Sequence, residues 1–244
     1  MFDAFPLHLT IYNKLHNFII IYKQMTWRKY PINEQFFNEI DSEEKAYFLG
    51  ILYADGTNST NKTEVSLRLQ EDDRELLIDL NNLLQPTKPV LPIISKNKKH
   101  KTLYRLIINS KKISNKLNEL GVVPNKTFKI MYPTWLNKNL ENHFIRGYFD
   151  GDGYIGYNIA NNESQFCITG TENIILNIQN ILINKSDLNK TKLQTRHPER
   201  KNNIRMLMYS GNGNSKKLYY YLYNDANLYM KRKKNKFESI LKLN

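Results

Sequence analysis

The chain has 244 residues, a formal net charge of +13 and a single cysteine, Cys167. That length holds one large domain or two small ones with a real core. One cysteine excludes an internal disulfide, a Cys-rich zinc site and an iron–sulfur cluster, and it fits a reducing compartment.

A hydrophobic content of 41% is too high for a disordered chain. The excess of Lys and Arg points to a polyanionic partner, either nucleic acid or an anionic surface. The N-terminal apolar run, residues 18–22, is far shorter than the ~20 residues that span a bilayer. No small-residue cleavage site comes after it, so a secretory signal is a poor fit. The expectation is an intracellular protein with no membrane partner. A composition rich in Lys, Asn, Ile and Tyr fits an AT-rich genome, such as that of a mitochondrion, plastid, phage or virus.

Residues 1–40 read as an N-terminal extension and lead-in. The segment Phe48-Leu49-Gly50-Ile51-Leu52-Tyr53-Ala54-Asp55-Gly56 then has a near match in Ile145-Arg146-Gly147-Tyr148-Phe149-Asp150-Gly151-Asp152-Gly153. Each has a glycine five residues before an aspartate and ends in Asp-Gly. The segments downstream of the two motifs repeat as well. Residues 65–70 and 165–170 alternate as strands. Residues 72–84 and 171–183 have the apolar spacing of amphipathic helices, the second opening on a Thr cap. Residues 90–98 and 103–110 in the first half, and 192–198 and 204–210 in the second, read as further strands. In that alignment Arg105 and Ser110 match Arg205 and Ser210. Helices are predicted at 111–120 and 215–223, and each half closes on a basic segment around Lys126 or Lys233.

The chain is therefore expected to be α+β, with a first repeat at 41–130, a linker at 131–142 and a second repeat at 143–244. Each repeat has an antiparallel sheet with helices on one face. A calcium loop fits poorly: aligned on Gly153, its first and twelfth positions hold Tyr148 and Ile159. A mid-helix glycine costs ~1 kcal/mol relative to alanine. Gly50 and Gly147 therefore suggest two helices crossing closely. The aspartates at their C-termini then lie side by side at the unfavourable end of each macrodipole. A hydrated divalent cation resolves that conflict and suits phosphodiester hydrolysis.

These two motifs, with the lead-in from Ile40, resemble the single-chain, two-repeat LAGLIDADG homing endonucleases over about residues 28–243. The resemblance implies two pseudo-symmetric αββαββα repeats. Each would have a four-stranded antiparallel sheet, and the motif helices would pack against each other. It implies a monomeric enzyme on a long asymmetric duplex site, binding Mg²⁺ through Asp55 and Asp152. Each half would cut one strand across the minor groove, leaving 3′ overhangs. By position, Lys126 and Lys233 match the family's basic catalytic residues, and Gln70 matches a polar residue near the attacking water. Strand alternation places Ser66, Arg68 and Gln70 on the DNA-facing side, with Lys96, Lys98, Arg105, Gln194, Arg196 and Arg205 as further DNA-binding candidates. Cys167 falls on the same face of the second half. The alternative is an RNA-binding intron maturase on the same scaffold, in which intron RNA is the partner.

Overall fold

A computed structural model describes residues 30–84, 88–94, 101–195, 199 and 202–242. The first half runs α1 (Glu43–Ala54), β1 (Thr57–Asn58), β2 (Glu64–Gln70), a 3₁₀ turn (Glu71–Asp73), α2 (Arg74–Leu83), β3 (Leu91–Ile93), β4 (Leu103–Asn109) and α3 (Lys111–Glu119). A second 3₁₀ turn (Lys126–Phe128) precedes the connection to the other half. The second half runs α4 (Glu141–Asp152), β5 (Gly153–Asn158), β6 (Glu163–Thr171), α5 (Glu172–Ser186), β7 (Ile204–Ser210), α6 (Asn212–Tyr223) and α7 (Lys231–Lys242). Among the described residues, no helix is long and apolar enough to cross a membrane.

The helix α1 starts where Ser42 caps the Lys45 amide, with Glu43 and Glu44 in its first turn. It is then buried from Ala46 to Tyr53 on every side, because α4 covers one flank and the rest of it joins the core shared with the lead-in and the first sheet. Such a helix needs apolar residues all round rather than a stripe. The two motif helices cross backbone to backbone, as the glycines predict. A Cβ on Gly50 would lie 2.1 Å from the Phe144 carbonyl oxygen, and one on Gly147 would lie 2.2 Å from the Tyr47 carbonyl oxygen.

Both sheets are antiparallel, with orders β1-β2-β4-β3 and β5-β6-β7. On the helix side of the first, Val65, Leu67, Leu69, Leu106 and Ile108 pack in one core with Leu76, Leu77 and Leu80 of α2. The second repeats this with Phe166, Ile168, Leu207 and Tyr209 against Ile174, Ile175 and Ile178 of α5. The lead-in packs Phe36 and Phe37 edge-on against Phe48.

Among the described residues the second sheet has three strands where four are expected. The strand expected at 192–198 is reduced to one bridge, in which Gln194 and Met206 exchange amide–carbonyl bonds of 2.9 and 2.8 Å. Residues 196–198 lie outside those described.

Gly50→Ala and Gly147→Ala are each expected to destabilise the fold by about 3 kcal/mol, since a methyl group meets backbone that cannot rotate away. Gly213 of α6, with nothing within 4 Å of its added Cβ, is the control. Gly213→Ala should be neutral or stabilising by up to about 1 kcal/mol. Thermal and urea denaturation of the three variants checks both expectations.

Candidate active site

The glycine contact fixes where the two helices end. Asp55 is the C-terminal cap of α1, and Asp152 is the last residue of α4. The backbones stay close there too. A Cβ on Gly151 would touch the Ala54 methyl at 2.3 Å and lie 3.1 Å from Asp55 Oδ2. Both carboxylates are exposed to solvent, yet protein crowds them from most directions. That crowding raises the protonation midpoint of both. Asp152 reaches about 6, through desolvation first and the charge of Asp55 second, against the pull of Lys126 and Lys233. Asp55 moves the same way, mainly by desolvation.

Each helix end has its own lysine. Lys126 Nζ donates to the Ala54 carbonyl at 2.6 Å. Lys233 Nζ donates to the Phe149 and Gly153 carbonyls, both at 2.6 Å, and lies 3.4 Å from that of Gly151. These carbonyls belong to or come just after the last helical turn, where the helix leaves backbone acceptors in need of partners, although that of Phe149 also accepts from the Gly153 amide. The ammonium groups thus sit where the dipole is negative, beside the carboxylates. Burial lowers both lysines, Lys233 to about 8, while the nearby carboxylates oppose the shift.

The members of the basic run around Lys233 have partners, even where they are exposed. Lys231 pairs with Glu75 at 2.6 Å, Arg232 with Asp73 at 2.9 Å, and Lys234 lies 4.0 Å from the centre of the Tyr229 ring. Asp73 is buried and its charge acts on Asp55. Arg232 engages it with both Nε and Nη2. Among the described residues, no group of three or more His, Cys, Asp or Glu side chains could hold a metal. The side chains that could hold a cation here are the two carboxylates of Asp55 and Asp152. Their hard oxygens and open, hydrated side suit Mg²⁺, which keeps several waters.

Residues 42–121 match the family model of a LAGLIDADG-like domain. Over most of its length the chain shares its two-repeat fold with solved LAGLIDADG homing endonucleases. One is I-LtrWI bound to target DNA, with 15% identity, a TM-score of 0.53, and 86% of this chain and 91% of that one covered. Another is I-WcaI bound to its recognition sequence, with 14% identity, a TM-score of 0.54 and coverages of 80% and 87%. The I-SmaMI meganuclease bound to uncleavable DNA gives 11%, 0.51, and 82% and 90%. No curated protein matches the sequence.

The two crossing helices carry supporting groups that motif matching alone does not single out. Asp150 is fully buried and accepts from the Tyr47 hydroxyl at 2.7 Å, the Tyr223 hydroxyl at 2.8 Å and the Met230 amide at 2.8 Å. It thereby fastens the start of α7, the helix that carries Lys233. In the first repeat Tyr53 holds the matching position, and its hydroxyl donates to the Leu120 carbonyl. One position does the same tying job with opposite polarity. The signal was there in the sequence: an aspartate inside an apolar helix demands buried donors.

The DNA-facing candidates divide. Arg68 and Gln70 are exposed on the side of β2 away from the helices, and Gln194 is exposed at its bridge. Arg105 lies opposite Arg68 on the same face, half-buried and paired with Glu64. Two expectations fail. Ser66 has the predicted parity but is buried between β1 and β4. Arg205 shares the parity of Leu207 and Tyr209, so it lies on the helix side, where it pairs with Glu172 at 2.9 Å. Lys96, Lys98 and Arg196 lie outside the described residues.

Asp152 holds its proton up to about pH 6 in the folded, metal-free protein but only to about pH 4 when unfolded. Folding then binds a proton between those values, and stability falls as pH rises through that window. Asp152→Asn is expected to raise the melting temperature in EDTA at pH 7. The gain should vanish below pH 4, and a melting series across pH measures it.

Proposed function

We propose that this chain is a site-specific double-strand DNA endonuclease of the homing type, acting as a monomer. The observation that supports it most is the pair of helix-end carboxylates, each with its own lysine, related by the pseudo-twofold between the repeats. A strand-cutting enzyme needs two such centres facing two antiparallel strands, and one chain supplies both. The two sheets on either side provide the duplex-reading surface.

Asp55 and Asp152 would hold a divalent cation, Mg²⁺ being the natural choice. When bound, such an ion lowers the pKa of a coordinated water and stabilises charge on the leaving oxygen. The protein's own part is positional. The glycine crossing sets the separation of the carboxylates. Lys126 and Lys233, tethered to carbonyls, place positive charge beside each scissile phosphate as negative charge develops there. A lowered lysine pKa also suits proton exchange with an attacking water. Gln70, at the exposed end of β2, would orient such a water in the first half. Cleavage across the minor groove would leave short 3′ overhangs. The presence of both aspartates favours hydrolysis over the RNA-binding alternative, which does not require them.

Cleavage of target duplex is expected to need Mg²⁺ and to stop in EDTA. Asp55→Asn and Asp152→Asn should each slow it by about 10²–10³-fold, the loss typical of one preorganised charge-stabilising group. Lys126→Met and Lys233→Met should slow cleavage while leaving duplex binding within a few-fold. Gel analysis of supercoiled plasmid carrying the site would show the products. Undiminished double-strand cutting by the Asp55→Asn, Asp152→Asn double variant overturns the proposal.

A further inference from the structure

The two sheets present chemically different outer faces. On the first, Arg68 and Arg105 lie opposite each other, with Gln70 one step along. On the second, the residues pointing away from the helices include Tyr154, Gln165, Cys167, Thr169, Met206 and Met208, as register and burial show. No Lys or Arg of β5, β6 or β7 points that way, because Arg205 is turned to the helix side by its pair with Glu172. The sulfur-bearing side chains form one strip. Cys167 Sγ is 3.6 Å from Met206 Sδ, and Gln165 Nε2 is 3.0 Å from Met208 Sδ. Cys167, Met206 and Met208 are each half-buried, packed side by side across the strands.

This difference survives when the repeats are aligned by structure. The helix after the last strand of each sheet is capped by Ser110 in the first half and by Gly211 in the second. Counting back from the caps, Arg105 corresponds to Met206. The strand opposite, counted through its pairing, sets Arg68 against Thr169 and Ser66 against Cys167. Both arginines of the first face are thus replaced by uncharged groups at the same places.

We propose that the second sheet recognises its half of the DNA site by apolar contact with thymine C5-methyl groups, while the first reads guanine through Arg68 and Arg105. The inference rests on the endonuclease reading. Its chemistry is direct. Arginine pairs with guanine O6 and N7 in the major groove, whereas thymine offers a methyl group there that suits apolar partners. Methionine is polarisable and adapts its shape to such a surface. Gln165 and Gln194 add the hydrogen-bonding edge that matches adenine N6 and N7. Within β5, β6 and β7 no outward side chain is a cation that could meet the guanine acceptors, and the described cation over Tyr154, Lys236 at 4.8 Å from the ring centre, comes from α7.

The test uses the full chain and a pool of duplexes with a randomised core. Bound duplexes are recovered and sequenced for the wild type, for Met206→Arg and for Met206→Gln. The wild type is expected to select a site with one guanine-containing half and one A·T-rich half. The bases whose preference changes in the Met206 variants mark the half under the second sheet, and Met206→Arg should shift them toward guanine. Binding is then titrated with deoxyuridine in place of thymidine. Each methyl lost from that half should weaken binding about four-fold, the value of one buried methylene, with no loss when the substitution is in the other half. If deoxyuridine in the marked half leaves affinity unchanged while the site is still bound and cut, the thymine-methyl reading is wrong and the endonuclease reading stands. If no duplex is retained by folded wild-type protein, the reading beneath it fails as well. The Met206→Gln variant, close in volume, guards against loss of fold in Met206→Arg, and melting curves report on both.

Discussion

Two carbonyl oxygens, of Tyr47 and Phe144, occupy the space where Gly147 and Gly50 would carry side chains. That contact determines how the repeats meet, because two helices with ordinary side chains keep their axes 8–10 Å apart. Bringing them closer moves the C-terminal ends together as well, and Gly151 continues the approach down to Asp55. Every feature of the active site depends on this closeness. The carboxylates are neighbours because the helices that end in them are in backbone contact.

Closeness has an electrostatic consequence. Two carboxylates and two helix C-termini converge at one point, and all four are sources of negative potential. Lys126 and Lys233 answer by donating to carbonyls at each helix end. Desolvation nonetheless moves the aspartates up and the lysines down. Each group is pushed toward its neutral form, so the site resists its own charge. A site balanced in this way costs the fold some stability.

The rest of the second repeat is fastened around that point from two directions. Arg146 is buried and joins Glu43 at 2.6 Å, the Leu222 carbonyl at 2.9 Å and the Leu228 carbonyl at 3.0 Å. Glu43, from the first repeat, also accepts from the amides of Asn227 and Leu228. Asp150 holds Met230, and Arg232 reaches back to Asp73. The approach to α7 is therefore held by groups from both repeats before Lys233 enters the site. An unpaired charge in such surroundings costs several kcal/mol, which explains why these ions are found only in partnered sets.

The parts legible in the sequence were those with a strong local signature. The motif helices showed themselves by glycine among apolar residues ending in Asp-Gly, and β2, β4, β6 and β7 by alternation. The parts that hid were short or mixed. β1 has two residues, and β5 includes Gly153 and Gly156, which lower strand propensity. The helix α7 turns Lys233 inward beside Phe237 and Ile240, so its buried face does not read as apolar. The misplacement of Arg205 has a sharper cause. Matching Ser210 to Ser110 assumes that both serines cap the next helix. Ser110 does, its hydroxyl accepting from the Ile113 amide at 3.2 Å. In the second repeat the cap is Gly211, at φ 94°, and Ser210 is the last residue of the strand. One residue of slip in the cap moves every strand residue before it to the opposite face. It thereby turns an expected base-reading arginine into a buttress for Glu172.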